Sequence, residues 1–277
     1  MQELTYKNIK FGLNVAESQY ILKSFEPNKG STDVKTVKII GENGKRVTDS
    51  TYNAREVTAK GVIVAHSVNE LAELRRRLCV ACDGKTEDFL YYDIGDAHYK
   101  TPAIAEIPTF GGIKGLTLEF SLSFKMYRFF WYNATEKITP IYKIIPHVST
   151  PFTLPMVLSS RIDGNTLSNS GDVPTPFILS IFVNGLAPTA GGIHIRNATT
   201  GEILKINYIA SVGETIVIDT EEMTATSDKN GNVIRYIDRT SNFFNIPVGE
   251  SEIKTINTDT DTAIIANVSY YERYIGV

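Results

Sequence analysis

The segment Leu116-Thr-Leu-Glu-Phe-Ser-Leu-Ser-Phe-Lys125 places an apolar side chain at every second position. This period of two is typical of a β-strand with one buried and one solvent-facing side. Shorter versions of the pattern recur at Val34–Ile40, Val57–Ala65, Phe89–Tyr92, Phe177–Val183, Glu202–Tyr208, Thr215–Ile218 and Ala263–Tyr270. Turn-forming pairs such as Asn43-Gly44 and Asn230-Gly231 separate these segments. The sequence therefore predicts a mainly β protein built from many short strands.

One segment predicts a helix instead, over Val68–Val80. Ser67 precedes the first turn of this helix and Glu70 lies within it. Together they form a capping box, in which each side chain accepts a hydrogen bond from a backbone N–H group. An apolar stripe follows at helical spacing and consists of Leu71, Leu74 and Leu78. Asp83-Gly84 marks the end of the segment.

Length and charge limit the class of protein. The chain has 277 residues, which suggests about two domains. Its 28 basic and 31 acidic residues give a net charge of −3, which lacks the basic excess of proteins that bind nucleic acid. No apolar run is long enough for a membrane helix, and the N-terminus lacks the layout of a signal peptide. We therefore expect a soluble chain that is made in a cytoplasm.

Proline marks the expected domain boundary. Four prolines lie between Ala134 and Pro155, where the alternating pattern is weak. The following stretch, 159–174, is almost entirely polar and predicts a long exposed loop. We accordingly expect one domain over residues 1–133 and a second over residues 134–277.

The candidate chemical motifs favour structural roles. Cys79 and Cys82 have redox or zinc spacing, but they lie at the C-terminal end of the predicted helix and no second pair exists. The Asp228–Asn232 segment resembles a calcium loop, but its glycine stands at the fourth position, so a hairpin turn is favoured. Thr258–Thr262 is interpreted as a solvated loop. The histidines are scattered at His66, His98, His147 and His194. We predict no catalytic residues, no bound metal and no cofactor, and hence a protein that is not an enzyme.

A series of sequence blocks follows in a recognisable order. In the N-terminal half the blocks are Ser67–Leu78, Phe89–Asp93, His98–Glu106, Leu116–Phe124 and the aromatic cluster Met126–Tyr132. In the C-terminal half they are Phe182–Gly185, Gly192–Gly201, Thr215–Thr220, Ile246–Gly249 and a closing strand through Tyr270-Tyr271. Together these blocks resemble the siphophage distal tail proteins.

The resemblance implies a fold and a structural function. It implies an N-terminal β-barrel or sandwich similar to tail-tube proteins, with one helix, and a C-terminal galectin-like β-sandwich. It further implies a hexameric hub ring at the distal end of a bacteriophage tail tube, in the virion or a phage-tail-like particle assembled in the host cytoplasm. The implied partners are further copies of the chain, the tail tube protein, the tail-tip or tail-associated lysin protein, and receptor-binding proteins. DNA would only pass through the lumen, which suits an acidic chain, and no membrane is involved.

A closed ring requires two different complementary surfaces on each subunit. The polar hairpin tip Gly41–Tyr52 is one candidate, although a plain solvent loop is an equally good interpretation. Its candidate contact residues are Asn43, Gly44, Lys45 and Arg46.

The alternative function is a carbohydrate-binding module attached to a tail or cell-surface assembly. Sugars stack on exposed aromatic side chains, most often Trp, but the only tryptophan, Trp131, belongs to the N-terminal domain. The remaining candidates are the tyrosines Tyr208, Tyr236 and Tyr270. The sequence identifies no ligand-binding residue.

Overall fold

The computed structural model describes residues 2–41, 43–146, 159–162, 164–183, 193–256 and 264–277. The chain divides into two compact units, the first comprising Met1–Ala134 with Tyr274–Val277 and the second Thr135–Arg273. The last four residues thus belong to the first unit, whereas the sequence assigned them to the second domain. The predicted mainly β fold with a single α-helix is confirmed for the described residues. Within those residues, no helix is long and apolar enough to cross a membrane.

The elements follow in chain order. The first unit contains β1 (Gln2–Tyr6), β2 (Ile9–Gly12), β3 (Tyr20–Phe25), β4 (Thr32–Val37), β5 (Arg46–Tyr52), β6 (Arg55–Val64), α1 (Val68–Ala81), β7 (Asp88–Ile94), β8 (Ala97–Ala105), β9 (Thr109–Lys114), β10 (Thr117–Met126) and β11 (Trp131–Asn133). The second contains β12 (Lys137–Pro146), β13 (Ser159–Ile162), β14 (Gly164–Asn169), β15 (Ile178–Val183), β16 (Ile193–Asn197), β17 (Ile203–Ile206), β18 (Thr215–Asp219), β19 (Thr224–Ser227), β20 (Gly231–Asn232), a 3₁₀ turn (Ile234–Tyr236), β21 (Gly249–Ile256) and β22 (Ile264–Tyr270). The short strand β23 (Arg273–Tyr274) follows.

Seven strands of the first unit close into a barrel in the order β8-β7-β1-β2-β3-β6-β10, because β10 also pairs with β8. Strands β6 and β10 pair along their whole length, from Arg55–Met126 to Val64–Thr117. The inward side chains of β10 are all buried, namely Leu118, Phe120, Leu122, Phe124 and Met126. Gly61 lies opposite Phe120, where a Cβ atom would stand 2.5 Å from the ring. The alternating segment therefore forms a wall of the barrel, as predicted.

Helix α1 is one residue longer than predicted and begins as the capping box indicated. Ser67 Oγ accepts a hydrogen bond from the Glu70 backbone N–H at 3.2 Å, and the Glu70 carboxylate accepts one from the His66 N–H at 2.6 Å. The predicted stripe is buried in the barrel core and consists of Leu71, Leu74 and Leu78. The Tyr20 hydroxyl donates to the Leu74 carbonyl at 2.9 Å, which joins the helix to β3.

The second unit contains two sheets around one core. The larger sheet has the order β13-β12-β22-β15-β18-β19-β20, and the smaller has the order β14-β21-β16-β17. Buried side chains of both sheets belong to the same cluster, including Ile181, Ile216 and Val268 from the larger and Leu167, Ile195 and Ile253 from the smaller. Two sheets that share a core in this way form a β-sandwich.

The segment with the prolines includes β12, which pairs with β22 on one side and β13 on the other, and Pro140 lies at a register shift. One expectation about this unit was wrong, because the predicted long loop contains β13 and β14. In β14 only Leu167 and Asn169 are buried, so the mostly outward polar side chains hide the strand in the sequence. Asn169 is tolerated inside because its amide donates to the carbonyls of Val173 and Ile246.

Candidate assembly surface

Strands β4 and β5 form a two-stranded antiparallel ribbon, which pairs with no other strand in the described ranges. Every residue of both strands is exposed. The register places Val34 opposite Ser50 and Thr36 opposite Val47, with a bulge between the two pairs. An isolated ribbon of two strands is only marginally stable in water. The ribbon is therefore a surface feature that a covering partner would stabilise.

The two faces of the ribbon differ in charge. Since directly opposed residues share a face, the register defines an uncharged face of Thr32, Val34, Thr36, Val47, Ser50 and Tyr52. The opposite face consists of Asp33, Lys35, Val37, Arg46, Asp49 and Thr51. On that charged face, Lys35 and Asp49 form an ion pair at 3.2 Å. On the uncharged face, Val47 is 63% and Tyr52 47% exposed. Water-exposed apolar area concentrated on one side is typical of an interaction surface.

The tip of the ribbon contains the contact residues proposed from the sequence, Asn43, Gly44, Lys45 and Arg46, and all four are exposed. Gly41 and Gly44 have φ angles of +87° and +97°, which favour glycine and let the chain reverse direction. Ile40 beside them is fully exposed. The role of the tip residues in contacts between copies stays a prediction.

Aromatic residues anchor the base of the ribbon to the barrel. The Tyr52 ring stacks on Phe129 with centroids 4.1 Å apart and an interplanar angle of 14°. Phe130 contacts Tyr52 edge-on at 5.7 Å. The aromatic cluster that the sequence singled out thus fixes one end of the ribbon, while the described residues of the tip at the other end are exposed.

Arg55 begins β6, three residues after the ribbon ends, and is buried in the first unit. Its guanidinium lies 4.1 Å from the Phe129 ring centroid and donates to the carbonyls of Pro27 at 3.2 Å and Ile275 at 2.6 Å. Burial lowers the pKa of the Arg55 side chain. The Ile275 contact belongs to the C-terminal tail, where Asn28 also exchanges two 2.9 Å hydrogen bonds with the backbone of Val277. The sequence contained no local signal for this cluster, because its members are far apart in the chain.

The two cysteines are free thiols. Cys82 is buried at the C-terminal cap of α1, and this burial raises its pKa to about 12. A thiol with such a pKa is protonated at neutral pH and is a poor nucleophile and metal ligand. Cys79 is half-buried on the same helix. The arrangement supports structural roles for both residues.

The other candidate chemical residues lie apart from one another. His98 pairs with Asp93 at 2.7 Å, His66 is exposed before α1, and His194 lies in β16. His147 and Thr258–Thr262 lie outside the described residues. The predicted turn at Asn230-Gly231 is confirmed, since β19 and β20 pair across it.

The sequence analysis missed a buried carboxylate beside this turn. Glu214 accepts hydrogen bonds from the hydroxyls of Tyr208, at 2.6 Å, and Ser227, from the Asn230 amide at 3.2 Å, and from the Ser211 N–H at 2.6 Å. Burial alone would raise the pKa of Glu214, but these hydrogen bonds outweigh it and lower the pKa to about 2. The network therefore holds an ionised carboxylate that ties two loops together.

Most of the aromatic residues considered for sugar stacking are buried. Trp131 is inaccessible, and its indole N–H donates to the Pro27 carbonyl at 3.3 Å. Tyr208 and Tyr270 are buried, with hydroxyls that donate to Glu214 and to the Ser168 carbonyl. Tyr236 is half-buried and packs against Tyr208. These contacts leave little exposed ring surface for the carbohydrate-binding alternative.

Comparison with known proteins matches both units to phage tail proteins. The family model of the phage tail protein RIFT-related domain matches residues 12–126, and that of the siphovirus-type tail component, C-terminal domain, matches residues 170–274. No curated protein matches the sequence. The crystal structure of phage SPP1 Dit, described as a paradigm of the hub adsorption apparatus in phages that infect Gram-positive bacteria, matches with a TM-score of 0.71 and 12% identity over 99% of each chain.

Two structures of the phage p2 baseplate in its activated conformation, with strontium and with calcium, match with a TM-score of 0.55. Their identity to this chain is 12%, and the alignment covers 100% of each chain. At this identity the structural likeness establishes a shared fold over the whole chain. The two family models add the sequence evidence, and the order of their domains is the order of the two units described above. The chain belongs to the siphophage distal tail protein family.

Proposed function

We propose that this protein is the hub of a phage tail, in which six copies form a ring at the distal end of the tail tube. The ring connects the tube to the tail tip or baseplate and to receptor-binding proteins. The tail tube protein and the tail-tip protein are its partners, and DNA passes through its lumen. The role is structural and needs no catalytic residue, metal or cofactor. The membership of the distal tail protein family supports each of these assignments.

The exposed ribbon of β4 and β5 is the observation that carries the proposal for assembly. Its uncharged face includes Val34, Val47 and Tyr52 and is accessible to water in a single copy. Covering such side chains stabilises a contact by about 25 cal/mol per Å² of apolar area. Because the base is fixed on Phe129, the ribbon presents this face without a large loss of entropy on binding.

The division of labour follows the two units. The first unit, with the ribbon and the tip residues Asn43–Arg46, makes the ring, and the galectin-like sandwich of the second unit takes no part in closing it. A ring contact is heterologous, so the ribbon of one copy meets a different surface of the next. Six such contacts between neighbouring copies close the ring, and none of them requires a catalytic residue.

Sedimentation velocity and negative-stain imaging of the full chain test the proposal. We expect six-fold rings that form as the protein concentration rises. Val47→Asp places a charge on the uncharged face of the ribbon and should weaken the ring, whereas Val37→Asp makes the same change on the charged face, opposite Arg46, and is the matched control. The double variant Lys45→Glu/Arg46→Glu tests the tip. A chain that stays monomeric at every concentration contradicts the hub assignment, and rings that tolerate all three variants contradict the role of the ribbon.

A further inference from the structure

An apolar groove lies between helix α1 and strands β9 and β10. Its volume is about 400 Å³, and its apolar lining consists of Val68, Leu71, Ala72, Cys79, Ile113 and Leu118. Val68 is 72% and Ile113 63% exposed, although both are large apolar residues. The hydration of exposed apolar side chains is unfavourable, and it is relieved when another molecule covers them. The groove therefore has the shape and chemistry of a docking surface.

The rim of this groove is cationic. Arg75 and Arg76 complete its lining, which includes no carboxylate among the described residues. The Arg75 guanidinium lies 4.7 Å from the Phe110 ring centroid, a contact that orients it beside the groove. Another pocket of about 400 Å³ has a carboxylate in its lining, because Glu119 lies there and forms an ion pair with Lys23 at 3.7 Å. The groove thus combines an apolar floor with positive charge in a chain whose net charge is −3.

We infer that the groove binds an acidic, amphipathic segment of a neighbouring tail protein. Its apolar side chains cover Val68 and Ile113, and its carboxylates lie at Arg75 and Arg76. This inference rests on the proposed function, in which the chain joins other tail components. Charge complementarity at the rim selects the partner and excludes basic segments.

The chain's own ribbon is a poor occupant of the groove. Its exposed apolar tip residue, Ile40, lies in a segment that carries three cations, Lys38, Lys45 and Arg46, against one carboxylate, Glu42. Those positive charges would approach the arginines of the rim, and like charges at an interface oppose association. A second copy inserting its ribbon is therefore the less favourable arrangement.

Cys79 provides a native reporter inside the groove. The rate at which a maleimide dye alkylates this thiol is measured in the full chain, with Cys79→Ser assigning the signal. Cys82 interferes little, because it is buried with a pKa raised to about 12. The probe is a synthetic acidic peptide of about 12 residues, with leucines three and four positions apart on one helical face and glutamates on the other. A basic peptide of the same length, with lysine in place of each glutamate, serves as the control. We expect the acidic peptide at about 1 mM to slow alkylation about tenfold, and the basic peptide to have no effect.

Charge reversal gives the decisive comparison. Arg75→Glu/Arg76→Glu should lose protection by the acidic peptide and gain protection by the basic one. Arg77→Glu is the matched control, since Arg77 lies on the same helix but does not line the groove. Circular dichroism verifies that each variant is folded. Equal protection by both peptides, or no protection by the acidic one, overturns the inference.

Two further outcomes separate this inference from the hub proposal. If Cys79 becomes protected when the protein concentration rises without peptide, the occupant is a second copy and the inference is wrong. Sedimentation of the same samples records ring formation independently. Rings without peptide protection overturn only the groove inference, whereas peptide protection without rings overturns only the proposed ring.

Discussion

Replacing Arg55 with alanine should lower the free energy of unfolding of the first unit by about 3 kcal/mol. The substitution removes two hydrogen bonds from a charged donor, to the carbonyls of Pro27 and Ile275. Such bonds contribute about 1.5–3 kcal/mol each, and the contact with Phe129 adds about 0.5–2 kcal/mol. The variant also relieves the cost of burying a cation, which offsets part of this loss. The net effect remains a marked destabilisation.

Trp131 makes the measurement specific to the first unit. It is the only tryptophan in the chain and is buried in the barrel core, so its fluorescence reports the unfolding of that unit. With a urea dependence of about 2 kcal/mol per molar, the transition midpoint should fall by about 1.5 M. Arg55→Lys keeps the charge but loses the planar fork, and should give an intermediate shift.

An exposed arginine on α1, Arg77, provides the control for the Arg55 substitution. Arg77→Ala replaces an exposed arginine on α1 and should change the free energy of unfolding by less than about 0.5 kcal/mol. An Arg55→Ala midpoint equal to that of the Arg77→Ala variant would show that the buried guanidinium contributes no net stability. In that case its burial cost cancels the hydrogen bonds, and our account of the ribbon base is wrong.

Further expectations concern the cores, the acid response and the two units. Leu74→Ala should cost about 2–5 kcal/mol in the Trp131 transition, whereas Val80→Ala, at an exposed position of α1, should have little effect. Because folding lowers the pKa of Glu214 from 4.5 to about 2, its stabilisation is complete above about pH 4.5 and is lost as the pH falls towards 2. Glu214→Gln should destabilise the second unit near pH 7 by about 2–3 kcal/mol and flatten this acid dependence, as followed by circular dichroism. A fragment over Thr135–Arg273, the second unit with its own core, should fold as a soluble monomer; a hexameric or unfolded fragment in sedimentation and circular dichroism would contradict the assignment of ring formation to the first unit.

Local sequence patterns were sufficient where the structure depends on neighbouring residues. The alternation from Leu116 to Lys125 determined a two-sided strand, because successive side chains of a strand point to opposite faces. Ser67 and Glu70 determined the start of α1, since a capping box acts within one helical turn. The order of short blocks along the chain similarly indicated the family before any tertiary contact was known.

Long-range pairing decided the features that the sequence did not reveal. Strand β14 exists because β21 supplies its backbone hydrogen-bond partners, and its polar side chains carry no sign of this pairing. Arg55 and Glu214 are buried only because residues such as Ile275 and Ser227 meet them in the folded chain. The cationic groove likewise depends on packing α1 beside Ile113. The sequence determined which segments become strands or helix through local periodicity and capping, whereas the tertiary structure decided which charges are buried and which apolar faces remain open, because burial depends on residues distant in the chain.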